Sequence, residues 1–136
     1  MSMRNLYPFL LLCILVTACN NKKNLPDISG VKVDLKVERF DEAFFSIDTL
    51  QIDRDMNRVH QQFPSFLPVY LQNIIGITDP EEVKVFYRFY KPVFDSSQLI
   101  YKDFEPVKAQ LEKAFRYVKY YFPDYKTPVQ IIPVIG

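Results

Sequence analysis

A proline inside a helix removes a backbone donor and clashes with the preceding turn, so prolines divide this 136-residue chain into segments. Ile52, Met56, Val59 and Phe63 recur at spacings of four, three and four and stop at Pro64. Asp48 or Thr49 stands where an N-cap belongs. Residues 64–76 read as a second helix, with Pro68 in its first turn and Gly76 as its stop, and with most of its surface buried. Asp79-Pro80-Glu81-Glu82 combines a capping carboxylate, an N1 proline and acidic side chains at a positive helix end. Val83, Phe86, Tyr87 and Tyr90 form the inner stripe of that helix, which Pro92 should close. The longest stripe is Phe104, Val107, Leu111, Phe115, Val118 and Phe122, ended by Pro123, with Glu112 four residues before Arg116.

Two segments have a different period. Val31, Val33, Leu35 and Val37 alternate with Lys32, Asp34, Lys36 and Glu38, which places four aliphatics on one face of a strand. Arg39-Phe40-Asp41 ends it, and Asp41 is positioned to cap a short turn carrying Phe44 and Phe45. At the other end, Pro128 to Gly136 is apolar and β-rich, as expected of a strand inside a sheet. These elements predict an α+β domain, mainly helical, with an N-terminal and a C-terminal strand that can pair. Thirteen of the twenty-one aromatic residues lie between Phe86 and Tyr125, so that half is expected to carry the core.

The amino terminus carries a targeting signal. Arg4 precedes the apolar run Leu6 to Val16, about half the length a spanning helix requires. Val16-Thr17-Ala18-Cys19 resembles the bacterial lipobox. The resemblance implies that Val16, Thr17 and Ala18 are recognised by the lipoprotein signal peptidase. It further implies that Cys19 receives diacylglycerol on its sulfur and that the chain is cleaved after Ala18. An ordinary secretory signal and an uncleaved short anchor are the alternatives. Cys13 competes poorly because bulky Leu12 precedes it. Domain organisation is then a signal peptide at 1–18, a lipidated tether at 19–30 and an α+β domain at 31–136. Two or three acyl chains hold a protein on a bilayer far longer than one. Asn20 in place of Asp favours the outer membrane by the enterobacterial sorting rule, and Asn20 to Asn24 lacks the acidic pair typical of surface export. Both point, by analogy, to a domain facing the periplasm.

Composition excludes several functions. Seventeen basic against sixteen acidic residues leave no field to collect nucleic acid. One His and two Cys cannot make a usual four-ligand zinc site, and a Ser-His-Asp triad would rest on His60 alone. His60 has no His or Cys four residues away and reads as a boundary side chain. Asp53 and Asp55 face different directions on a helix, and Glu81 and Glu82 open one, so both pairs read as structural. No catalytic residue, metal ligand or cofactor is expected. Aromatic and basic residues interleave over Lys84 to Lys91 and Arg116 to Tyr121. One narrow helical stripe cannot bury Phe86, Tyr87, Phe89 and Tyr90 together, which leaves ring surface for a neighbour.

Several segments, in order, resemble the N-terminal half of the gliding-motility-associated lipoprotein GldB family of Bacteroidetes. After the lipobox, Val37 to Phe45 resembles the family's "RFD…LF" stretch and Phe63-Pro64-Ser65-Phe66 its "YP.F" element. Ala114 to Pro123 resembles "AF.Y.KYYFP", and Val129 to Gly136 meets in part a strand ending in "ISGF". The match covers essentially all of the chain but about half of a typical member. The family resembles predicted zinc-dependent peptidases whose ligands follow the closing strand, which implies an incomplete zincin-like domain here. A truncated product, a split gene's first half or a short paralogue is therefore expected. The resemblance implies a noncatalytic outer-membrane lipoprotein supporting gliding motility or the associated secretion machinery, with a cell-envelope protein partner. Its alternative is the N-terminal fragment of a zinc peptidase-like enzyme with its metal site beyond residue 136.

Overall fold

The structure, a computed structural model, describes residues 25–136. Residues Met1–Gly30 and Val31–Gly136 form separate units. Val16, Thr17, Ala18 and Cys19 lie outside the described residues. Within 25–30, the Ser29 N–H donates to the Asp27 carboxylate at 2.9 Å. The body runs β1 (Lys36–Val37), α1 (Phe40–Phe45), a 3₁₀ turn (Thr49–Gln51), α2 (Ile52–Gln62) and α3 (Phe66–Val69), which continues as a π turn (Tyr70–Ile74). It continues with α4 (Pro80–Tyr101), α5 (Glu105–Tyr121) and β2 (Gln130–Ile131). The fold is thus α+β and mainly helical, with one strand at each end.

β1 and β2 pair in parallel, Lys36 opposite Gln130 and Val37 opposite Ile131. The Lys36 and Glu38 N–H groups donate to Val129 and Ile131 at 2.9 Å each, and the Asp41 N–H reaches Pro133 at 3.2 Å. Both strands are shorter than the sequence pattern suggested. The alternation survives as burial, with Leu35 buried and Lys32, Asp34 and Lys36 exposed. The ladder stops where Pro133 supplies no donor, and on the edge of β1 away from β2 the Leu35 N–H is taken by Glu112 Oε1 at 3.1 Å. β2 therefore lies beside one strand and not within a larger sheet among the described residues.

Helix starts follow local chemistry closely. The Asp48 carboxylate accepts from the Leu50 N–H, and Asp79 from Glu81, each at 2.9 Å. Asp41 behaves differently from expectation. It sits in the first turn of α1 and caps nothing, since its carboxylate turns to Arg39. The segment after Pro64 also departs from the expected buried helix: Leu67 and Tyr70 are buried, while Pro68, Val69, Gln72, Asn73 and Ile74 are exposed. It closes as expected at Gly76, whose φ of 69° suits glycine, with the Ile77 N–H reaching back to Leu71 at 2.7 Å.

Pro92 does not end α4. Its ring lies on the exposed face, and packing holds the helix on both sides of it. Tyr90 stacks on Phe86 with centroids 4.3 Å apart, and the buried Phe94 stacks on Phe45 at 4.8 Å. An interior proline costs about 3 kcal/mol, which burial of rings such as Phe94, at about 1.5–3 kcal/mol each, offsets.

The core lies in the half that is poorer in aromatics. Phe40, Phe44, Phe45, Ile47, Ile52, Val59, Leu67, Tyr70, Ile77 and Val83 are buried, whereas Phe94 is the one buried aromatic from the stretch Phe86 to Tyr125. α5 buries none of its side chains completely. The expected Glu112–Arg116 pair is absent: Glu112 lies 3.7 Å from Lys108 and accepts from Leu35. The reason for the shift is topological: α1 packs against α2, α3 and α4, while every side chain of α5 stays at least partly exposed. Phe40→Ala should cost about 3–5 kcal/mol in urea unfolding, and Phe122→Ala, at an exposed ring, within about 0.5 kcal/mol. The reverse order would contradict this core.

Candidate functional site

The charged and polar side chains gather into clusters that bind elements to one another. The largest centres on Arg39, between β1 and α1. Its guanidinium donates to both Asp41 oxygens, Nε to Oδ1 at 2.8 Å and Nη2 to Oδ2 at 2.7 Å. Nη1 lies 2.9 Å from Glu42 Oε1 and donates to the Lys102 carbonyl at 3.0 Å. Nη2 also reaches Gln98 Oε1 at 3.3 Å, and the Phe104 ring lies 5.6 Å from the guanidinium carbon. One planar fork thus ties the start of α1 to the α4–α5 junction. The hydrogen bonds to Asp41 raise the Arg39 pKa further, against the effect of its own burial.

Asp55 organises the second cluster. Its carboxylate accepts from the Asp48 N–H at 2.9 Å and from Arg54 Nε at 2.9 Å, with Arg58 at 3.7 Å. The backbone bond from Asp48 is the main cause of a pKa below the ordinary carboxylate range. Arg54 adds to it, burial opposes it, and the charges of Arg54 and Arg58 contribute further. Tyrosine hydroxyls make the third set: Tyr70 donates to the Ile135 carbonyl and Tyr87 to that of Phe45. Burial pushes both phenols upward, Tyr70 strongly, with Tyr90 adding to it.

The remaining candidate residues stay apart. His60 and Asp53 are exposed on α2, and Glu81 pairs with Lys84 at 2.8 Å. Glu82 Oε2 accepts from the Thr78 N–H at 3.4 Å. No group of three or more His, Cys, Asp or Glu side chains is placed to hold a metal among the described residues. Between α2, α3 and the start of α4 lies an apolar hollow of about 320 Å³ lined by Ile52, Met56, Leu67, Leu71, Ile77 and Val83, with Asp53 and Asp79 beside them. No described helix is long and apolar enough to cross a membrane.

The segments quoted above from the sequence converge. Phe63 and Phe66 close edge-on over Phe40, with centroids at 5.2 and 4.9 Å. The Val129–Gly136 stretch reaches the same place, Pro133 accepting from Asp41 and Ile135 from Tyr70. Ala114–Pro123 does not join them, and Tyr120, Tyr121 and Phe122 are exposed. The interleaved aromatic and basic residues divide likewise. Phe86, Tyr87 and Tyr90 turn inward, while Phe89 faces out under the Arg88 guanidinium at 5.1 Å. Leu99 and Ile100 continue the exposed apolar surface beyond Pro92, where no helix was expected. Their seven-residue spacing from Pro92 and Val93, two helical turns on, was the available signal.

Arg39→Met should destabilise the protein by about 2–3 kcal/mol, less than the ~3–5 kcal/mol of a fully buried pair because 17% of the Arg39 side chain remains exposed. Arg39→Lys should rescue little, since an ammonium cannot form the fork; chemical denaturation of both variants measures this. For Asp55, whose folded pKa is lowered, the unfolded state binds the proton more readily. Its stabilisation is present at neutral pH and is lost as pH falls below the ordinary Asp range through the folded value. The unfolding midpoint of Asp55→Asn should therefore be lower at pH 7 and fall less steeply with acid than that of the parent.

No curated protein and no solved structure matches the chain. Residues 21–136, however, match the family described as gliding motility protein GldB. The match spans the three converging segments and the whole described body, and by it the chain belongs to the GldB gliding motility family.

Proposed function

We propose that this protein is a lipid-anchored, noncatalytic component of the cell envelope that supports gliding motility or the associated protein secretion machinery by holding a protein partner. Its organisation is a signal peptide at 1–18, a tether at 19–30 lipidated on Cys19, and the α+β domain at 31–136. Val16, Thr17 and Ala18 serve signal peptidase recognition, and the anchored domain faces the periplasm from the outer membrane. The observation that carries the reading is the family match, which ties the chain to gliding motility and begins at residue 21, two positions after Cys19. The use of charge supports the noncatalytic part. Both buried carboxylates, Asp41 and Asp55, are spent on arginines and backbone N–H groups of the fold itself. The exposed apolar rings of α4 and α5 supply surface for a partner.

Palmitate labelling, membrane fractionation and colony spreading of a gliding host test this directly, comparing the parent with Cys19→Ser at the native locus. The parent should label and sediment with the outer membrane, and Cys19→Ser should lose the label and reduce spreading. A Cys19→Ser product that stays in the outer membrane and supports normal spreading would overturn the anchor. Zinc-dependent peptide hydrolysis by the purified protein would overturn the noncatalytic assignment.

A further inference from the structure

The outer face of α4 carries an exposed apolar seam, bordered at Val85, Arg88 and Pro92 by Thr49 and Leu50 of the 3₁₀ turn. Val85, Phe89, Pro92, Ser96 and Leu99 follow one another at spacings of four, three, four and three, with Val93 and Ile100 one step to the side. Such spacing keeps residues on one face of a helix and is the repeat by which helices pack side by side. The seam is about 21 Å long at 1.5 Å per residue. Leu99 is 88% exposed, Ile100 73% and Phe89 64%. None of the seven residues is charged. Ser96, the one hydroxyl among them, already donates to the Pro92 carbonyl at 2.8 Å, so its donor is spent within its own helix.

The charges flanking the seam select its occupant. Arg88 lies on one side and forms no ion pair among the described residues. Asp95 lies on the same side, seven residues on; Lys91 Nζ is 2.5 Å from its Oδ1, so a partner's Arg88 would share the carboxylate with Lys91. A two-fold axis near Pro92, with two helices antiparallel, brings Arg88 of each copy to the level of Asp95 of the other. The same operation brings Val85 level with Leu99, bulky Phe89 level with small Ser96, and Pro92 onto Pro92. The seam is thus complementary to itself in size and charge, as a symmetric interface must be.

We propose that the outer face of α4 is a homodimer seam, in which a second copy of this chain packs antiparallel across Pro92. One helix pair falls at the small end of specific interfaces, so the dimer is weak in dilute solution. Confinement of both copies to one membrane raises their effective concentration.

The test places a cysteine on the two-fold axis. Pro92→Cys, made in the full chain at its native locus, should form a disulfide-linked dimer when envelopes are treated with a mild oxidant. Ala109→Cys, on the exposed face of α5, should not. Disulfide geometry requires Cα atoms within about 7 Å, so the reaction reports the axis itself. In a Pro92→Cys background, Arg88→Asp should reduce the dimer at least about ten-fold, and adding Asp95→Arg should restore it. Monomer throughout, a cross-link of a different mass, or no rescue by the charge swap would overturn the proposal and assign the seam to another segment or partner. The parent chain separates this from the anchor. If Cys19 carries no lipid, the parent itself cross-links through it, and the Pro92→Cys experiment is then read in a Cys19→Ser chain, where the same outcomes apply.

Discussion

Phe40 and its two neighbours in sequence are held by opposite forces, and most of the body is arranged around that division. The Phe40 ring enters the centre of the core, within 4.7–5.7 Å of Phe44, Phe63, Phe66 and Tyr70. Arg39 and Asp41, one residue to each side, turn to a rim where a two-bonded ion pair reaches the α4–α5 junction. Because the three are adjacent, the core and the ion pair cannot move independently. The backbone between them is held as well, since the Asp41 N–H bonds Pro133 and the preceding strand pairs with β2. Hydrophobic burial supplies the energy at this point, and the directional bonds select one orientation for it.

That arrangement explains the uneven distribution of the aromatic residues. Rings from α1, from Phe63 at the end of α2, from α3 and its π turn, and from α4 meet in pairs at edge-on or stacked angles around Phe40, Phe44 and Phe45. α5 closes one flank of β1, with Glu112 on the Leu35 N–H and Lys119 Nζ 3.5 Å from the Lys32 carbonyl. Its outer rings have no such role. Exposed aromatic and aliphatic side chains on α4 and α5 are left as apolar surface among the described residues.

Some of this was legible residue by residue. Asp48 and Asp79 mark helix starts because a capping bond depends only on the cap and the next few N–H groups. Gly76 marks an end because the left-handed turn it adopts needs no neighbour. The stripe of α5 was legible, and so were the structural roles of Asp55 and Glu81. Pro92 was misread because its local penalty is met by Phe94 and Tyr90, whose partners Phe45 and Phe86 cannot be identified from spacing. With α4 cut short, Leu99 and Ile100 were not seen to extend the exposed face. The shared role of Arg39-Phe40-Asp41 and Phe63-Pro64-Ser65-Phe66 was likewise visible only as a recurring order of segments.

By itself the sequence determined the class of fold, the helix starts, the alternation of the first strand and the family, because each rests on interactions within a turn or on segment order. Tertiary structure alone decided which half holds the core, how little of each strand is paired, that α4 runs through a proline and that one of its faces is left open. Those outcomes depend on which surfaces meet. An aromatic residue contributes the same transfer free energy in any segment, and only the packing of α1 between α2, α3 and α4 determines which rings leave water.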